Sequence, residues 1–169
     1  MSFKQNIEEN LQHFAKSIGL AELSLNESDA CGLCFDDSLV VNMEYLEEDD
    51  ALVFVASVRP IEAHDTGKSN LYETMLSLNL QYHSMQGSFL ALNHEKSESL
   101  LIKSIIASAD YGVFESALEK FVNTLEWAAG EMETAKHSGG NDNASPSSSD
   151  KQTPKSPPAG GPSDMGMMV

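Results

Sequence analysis

The two cysteines of the chain, Cys31 and Cys34, stand in the stretch DACGLCF (29–35) as a C-x-x-C. A redox-active pair of this kind needs its first thiol at a helix N-terminus or beside positive charge, which stabilises the thiolate. Here Asp29 precedes the pair and Asp36 and Asp37 follow it. Negative neighbours raise a thiol's pKa. The segment reads as a strand, and strand positions three apart point to opposite faces, so the two sulfurs are not expected to meet. Zinc would need two further ligands at a matching spacing. There is no second C-x-x-C, and His13, His64, His83, His94 and His137 form no H-x₃₋₅-H pair. The cysteines are therefore expected as small apolar strand residues. A thiol-dependent oxidoreductase is the enzyme alternative.

Other chemistry finds less support. His13 neighbours Phe14, and His83 falls near the end of a helical stretch, where a partial positive charge is favoured. Neither accompanies a G-x-S-x-G or another nucleophile motif. The glycines are too dispersed for a phosphate loop or a dinucleotide fingerprint. EYLEEDD (44–50) lacks the register of a calcium loop and reads as a solvated turn. No catalytic residue, metal or cofactor is expected.

The elements that would position any site follow from periodicity. Phe3, Ile7, Leu11, Phe14 and Ile18 share one face of a helix over 2–18. Ser2 with Gln5 fits a capping box, and Gly19 fits the left-handed position beyond the helix end. NESD (26–29) is a turn. Strands are expected over 30–35, 39–46 and 51–59, with reversals at DDS (36–38) and EEDD (47–50), forming an antiparallel meander. In the second strand Leu39, Val41, Met43 and Tyr45 alternate with Val40, Asn42, Glu44 and Leu46. PIEAHDTGKS (60–69) is a loop. A second helix is expected over 70–83, with Leu71, Met75, Leu78 and Tyr82 on one stripe and Tyr72, Leu76 and Leu80 on a second. That apolar arc is wider than one sheet face covers, so the surplus would meet a second subunit or lie in a deep core. Strands over 88–93 and 99–108 follow, and then a helix over 113–136 with its stripe at Val113, Ala117, Phe121, Leu125, Ala128 and Met132. The order is α-βββ-α-ββ-α, which predicts an α+β fold with a twisted antiparallel sheet flanked by helices.

Charge and composition divide the 169 residues in two. Acidic side chains number 26 against 10 basic; residues 137–169 hold three and two of these, so the excess belongs to 1–136. Such a field opposes nucleic-acid backbones and anionic membrane surfaces. Five of the six prolines lie beyond Ser138, among Ser, Gly and Asn. The division is therefore a domain over 1–136 and a disordered tail over 137–169. MSFKQNIEEN has no apolar core of a signal peptide, and no run approaches the length of a membrane span, so a cytoplasmic protein is expected. With no catalytic constellation, apolar strands and an over-apolar middle helix point to protein partners.

Several local patterns then carry a family likeness: the helix ending FAKSIGL (14–20), the hairpin CGLCFDDSLVVNMEY (31–45), and the closing helix FESALEKFVNTLEWAAGEM (114–132). In these and in element order, residues 1–136 resemble the class I type III secretion chaperones, the Tir-chaperone or CesT/SycE family. NIEENLQHFAKSIGL (6–20) together with the Pro/Gly-rich tail looks most like chlamydial members that serve several cargos. The resemblance implies a non-enzymatic, cytoplasmic bacterial homodimer. It would bind the extended N-terminal segment of secreted effectors through apolar patches and strand addition, and deliver it to components of the secretion apparatus, the ATPase among the candidates. The alternative within this reading is a chaperone-like regulator that binds another regulatory protein. Matched onto the family, Phe3, Ile7, Leu11, Val40, Leu46, Val53 and Val55 would meet the effector. Leu71, Met75, Leu78, Tyr82 and Phe89 would form the dimer interface. For each of these, burial in the monomer core is the competing reading.

Overall fold

The computed structural model describes residues 2–35, 39–62 and 67–138. The reversal expected at 36–38, part of the loop over 60–69 and the tail lie outside them. Three longer helices and five strands follow the expected order, with one short helix between them: α1 (Phe3–Ser17), β1 (Ala30–Phe35), β2 (Leu39–Leu46), β3 (Ala51–Pro60), α2 (Lys68–Asn79), α3 (Tyr82–Met85), β4 (Phe89–Leu92), β5 (Glu98–Ile106) and α4 (Tyr111–Ser138). The one addition is α3, a single turn.

Local chemistry sets the boundaries. The Ser2 side chain accepts a hydrogen bond from the Gln5 amide at 3.2 Å. Gln5 does not reach back to complete the capping box; its amide donates to Glu9 instead. At the other end, the Gly19 and Leu20 amides donate to the Lys16 and Ala15 carbonyls with Gly19 at φ +78°, the conformation for which glycine carries no steric penalty. The turn at 26–29 is fixed by Asn26, whose side-chain oxygen accepts from the Ser28 and Ala30 amides. The Asp110 carboxylate caps α4 by accepting from the Val113 amide.

The strands form one antiparallel sheet in the order β1-β2-β3-β5-β4. Its register sorts side chains cleanly. Met43, Phe54 and Lys103 lie in one row across the sheet, with Val41, Ala56, Leu101 and Leu90 in another on the same face. This face is buried against the helices. Ile7 and Leu11 of α1, Leu71, Met75 and Leu78 of α2, and Phe114, Leu118, Phe121, Leu125, Ala128 and Met132 of α4 join it in a single core. Phe54 stands at its centre, with ring centroids 6.1 Å from Phe114 and 5.7 Å from Phe121. Asn6 and Asn10 tie α1 to the start of α4 by donating to the Ala107 and Ala109 carbonyls at 2.8–2.9 Å.

Two expectations are corrected. The helix expected over 70–83 ends at Asn79: Leu80 is still helical, Gln81 leaves the helical region at φ −85° and ψ 57°, and the Asn79 side chain there bonds a strand. Its oxygen accepts from the Leu90 amide at 2.7 Å, and its amide donates to the Leu90 carbonyl at 3.1 Å. The stripe of α4 begins at Phe114 rather than Val113, which is exposed. At the helix start the larger ring takes the core position, between Phe14 and Phe54.

Candidate partner-binding surfaces

The sheet has a second face. Val40, Asn42, Glu44 and Leu46 alternate outward from β2, and the register sets Val53 and Val55 beside them, followed by Ile102, Ile106 and Phe89. Among the described residues no helix joins the buried cluster from this side. Val40, Phe89 and Ile106 are exposed, and Leu46, Val53, Val55, Leu100 and Ile102 are half-buried. Four of the residues expected to meet an effector, Val40, Leu46, Val53 and Val55, are thus brought together on one uncovered apolar face. The other three are on α1. Ile7 and Leu11 are fully buried in the core, while Phe3 is exposed. Beside Val40, a groove of roughly 520 Å³ runs between the ends of β2 and β3 and α4, lined by Leu39, Val58, Leu125 and Ala129 among others.

The residues expected at a dimer interface divide likewise. Leu71, Met75 and Leu78 form the underside of α2 and are buried, whereas Tyr82 and Phe89 are exposed. The outer side of α2 carries the second stripe. Leu76 is 68% exposed and Leu80 is 81% exposed. Folding therefore buries Leu71, Met75 and Leu78 of the first stripe, packs Tyr72 of the second against the core, and leaves Leu76 and Leu80 in water. Nothing in the sequence pattern distinguishes the two, because each has helical spacing.

The sheet edges differ. On β1, Ala30 makes both its backbone hydrogen bonds outward, to Asn26. By alternation Gly32 and Cys34 present their backbone groups on the same side. The edge of β4 is occupied at Leu90 by Asn79.

The C-x-x-C lies in β1 as expected. Cys31 is opposite Met43 and faces the core; Cys34 is opposite Val40 and faces outward. Burial, reinforced by Glu8, pushes the Cys31 thiol up to about 11, so it is protonated at neutral pH. His13 stacks on Tyr111 and His83 on Tyr82. Among the described residues no three His, Cys, Asp or Glu side chains are grouped to hold a metal ion, and no helix is long and apolar enough to cross a membrane.

The fold is a small α+β scaffold with uncovered apolar surfaces. Its lineage is equally plain: a model of the Tir chaperone protein (CesT) family matches residues 9–128, and the chain belongs to that family. The family is one of type III secretion chaperones, which act by binding and not by catalysis. Among solved structures, that of the ExsC–ExsE complex matches at 25% identity with a TM-score of 0.65, covering 75% of this chain and 93% of that one. The HopA1–SchA chaperone–effector complex matches at 17% identity and TM-score 0.59, over 77% and 95%. The Yersinia pestis type III secretion chaperone SycH, in complex with a fragment of YscM2, matches at 23% identity and TM-score 0.55, over 75% and 99%. The last two likenesses concern the fold. Among curated proteins no sequence match is found.

Proposed function

We propose that this protein is a cytoplasmic secretion chaperone that holds the N-terminal segment of a secreted effector in extended form and keeps it competent for export. The observation that carries the reading is the uncovered apolar sheet face centred on Val40, Leu46, Val53 and Val55. An apolar face of this kind is stable in water only when another chain covers it or when charge keeps the protein soluble, and the net charge of −16 does the latter. An extended segment can lay alternate side chains on that face. It can also add as a strand along β1, where the backbone groups of Gly32 and Cys34 face outward. Main-chain pairing demands no single cargo sequence. Phe3, exposed at the start of α1, would extend the contact.

The working unit of this reading is a homodimer formed through the outer stripe of α2, Leu76 and Leu80, with Tyr82 and Phe89. Leu71, Met75 and Leu78 support that stripe from beneath. Delivery to the export apparatus, including its ATPase, would be a property of the loaded dimer, and residues 137–169 would be an appendage to the domain over 1–136.

The test is co-purification from the native host followed by mass spectrometry, with the wild type and a Val40→Asp/Val55→Asp variant. The expected result is recovery of effectors through N-terminal segments of about 50–100 residues, long enough to offset the cost of ordering an extended chain. The variant should stay folded and lose them. Equal recovery by both would refute the role of the sheet face. Recovery of a regulatory protein of the secretion system in place of effectors would select the regulator reading.

A further inference from the structure

One corner of the sheet is left open. β2 stays paired with β1 down to Leu39, but its pairing with β3 stops at Val41–Ala56. On the facing strand the β3–β5 register shifts between Ser57 and Arg59, a bulge at Val58 of the kind that bends a strand and re-aims its side chain. Leu39 and Val40 on one strand and Ser57 and Val58 on the other line the gap, and Leu125 and Ala129 of α4 form the third wall of the groove of roughly 520 Å³. Leu125 is buried, Leu39, Val58 and Ala129 are half-buried, and Val40 is exposed. Among the described residues the lining is apolar apart from Ser57 and Glu126, both exposed.

The same chain carries an occupant of matching chemistry. Residues 139–164 hold no large apolar side chain, whereas 165–169, MGMMV, hold Met165, Met167, Met168 and Val169 and no charged side chain. Unbranched thioethers fill irregular apolar gaps. The wall formed by α4 is also the element from which this segment departs. Ala129 lies nine residues before Ser138, about 14 Å along the helix. The intervening 26 residues, rich in Gly, Ser and Pro, have a root-mean-square span of about 28 Å, enough to return that far. Tethering then places the segment at the groove at an effective concentration in the millimolar range. An affinity of the same order, too weak to matter for a free peptide, fills the groove part of the time.

We propose that residues 165–169 dock in the groove between β2, β3 and α4 of their own chain, as a placeholder over apolar surface that water would otherwise meet. Part-time occupancy of this kind adds little to thermal stability. Val40 belongs both to the groove and to the uncovered sheet face, so the segment and an extended guest compete for it. That consequence rests on the chaperone reading given above; the docking does not.

The experiment traps the contact in the full-length chain. In a Cys31→Ser/Cys34→Ser background, Met167→Cys is combined with Ser57→Cys or, separately, with Glu126→Cys. Both groove positions are exposed, so these variants should fold, and circular dichroism verifies it. Equilibration with reduced and oxidised glutathione at low protein concentration, followed by mass spectrometry of non-reduced digests, gives the effective concentration of one thiol at the other. The comparison is the same pair with Met165→Ser, Met168→Ser and Val169→Ser, which keeps the tether and both thiols and removes the apolar contact. The expected result is a disulfide within one chain, with an effective concentration about tenfold higher before the serine changes than after, at one groove position or both. Equal values at both positions would mean a tether without docking and overturn the proposal. Disulfides joining two chains would overturn it too, by assigning the segment to a second copy. Neither outcome touches the recovery of effectors, so the chaperone reading is decided separately.

Discussion

Asn79→Ala is expected to destabilise the folded chain by about 2–3 kcal/mol. The side chain makes two hydrogen bonds, at 2.7 and 3.1 Å, to the amide and carbonyl of Leu90, a residue 5% exposed. Alanine keeps the helix and removes both partners. Leaving a buried backbone group unpaired costs about 1–3 kcal/mol. Two such groups set an upper figure of about 6 kcal/mol, and the position of β4 at a sheet edge, where water can enter as the strand shifts, brings it to the lower half of that range. For a folded part of this size, each kcal/mol moves the melting temperature by about 3–5 °C, so the drop should be on the order of 10 °C. The assay is thermal unfolding by circular dichroism at matched protein concentration, since dimer formation would make the midpoint depend on it. Amide hydrogen exchange supplies a local readout, with Leu90 expected to lose protection ahead of Leu101 on the neighbouring strand. Asn26→Ala is the internal comparison. That side chain also makes two hydrogen bonds to backbone, accepting both, but sits in solvent, and should cost about 1 kcal/mol or less. A melting temperature for Asn79→Ala within about 2 °C of wild type would refute the argument that this side chain pins β4.

Phe121→Ala should cost about 3–5 kcal/mol and leave little folded protein at 37 °C, measured by urea titration, because Phe121 is fully buried against Phe54. Alkylation followed by mass spectrometry at pH 8 should modify Cys34 rapidly and Cys31 slowly. The folded-state pKa of Cys31 is raised to about 11 from 9.0, so its contribution to stability is fully present below pH 9 and is lost as pH rises through 11. Serine at both cysteine positions should leave partner binding intact. Removing residues 139–169 should change the melting temperature by no more than about 1 °C, and a larger drop would show that the tail packs on the domain.

Much of the fold was legible because its signals are local. Alternation in β2 separated Val41, Met43 and Tyr45 from Val40, Asn42 and Glu44, and burial follows that division residue for residue. The same alternation placed Cys31 and Cys34 on opposite faces. The end of α2 was not legible, since the backbone leaves the helical region at Gln81, a residue with no breaker character, before a further helical turn at 82–85. The uncovered sheet face was half legible. Val53 and Val55 alternate with Leu52 and Phe54, and all four are apolar, so the pattern marks two apolar faces without saying which the helices take. The two stripes of α2 pose the same problem at helical spacing. The family resemblance supplied candidates at both surfaces, but only packing separates Ile7, Leu11, Leu71, Met75 and Leu78, which are in the core, from the exposed residues beside them.

The unequal edges of the sheet bear on edge-to-edge association between copies. A chain with one bare edge at each side of its sheet could join copy to copy, β1 of one against β4 of the next, and such head-to-tail contacts do not close. Asn79 occupies the β4 edge at Leu90, so one end of that polymerisation is stoppered by a single side chain. On β1 Asn26 occupies only Ala30, so the outward backbone groups of Gly32 and Cys34 are left, and an Asn79 variant that survives folding should be watched for turbidity as well as for a lower melting point.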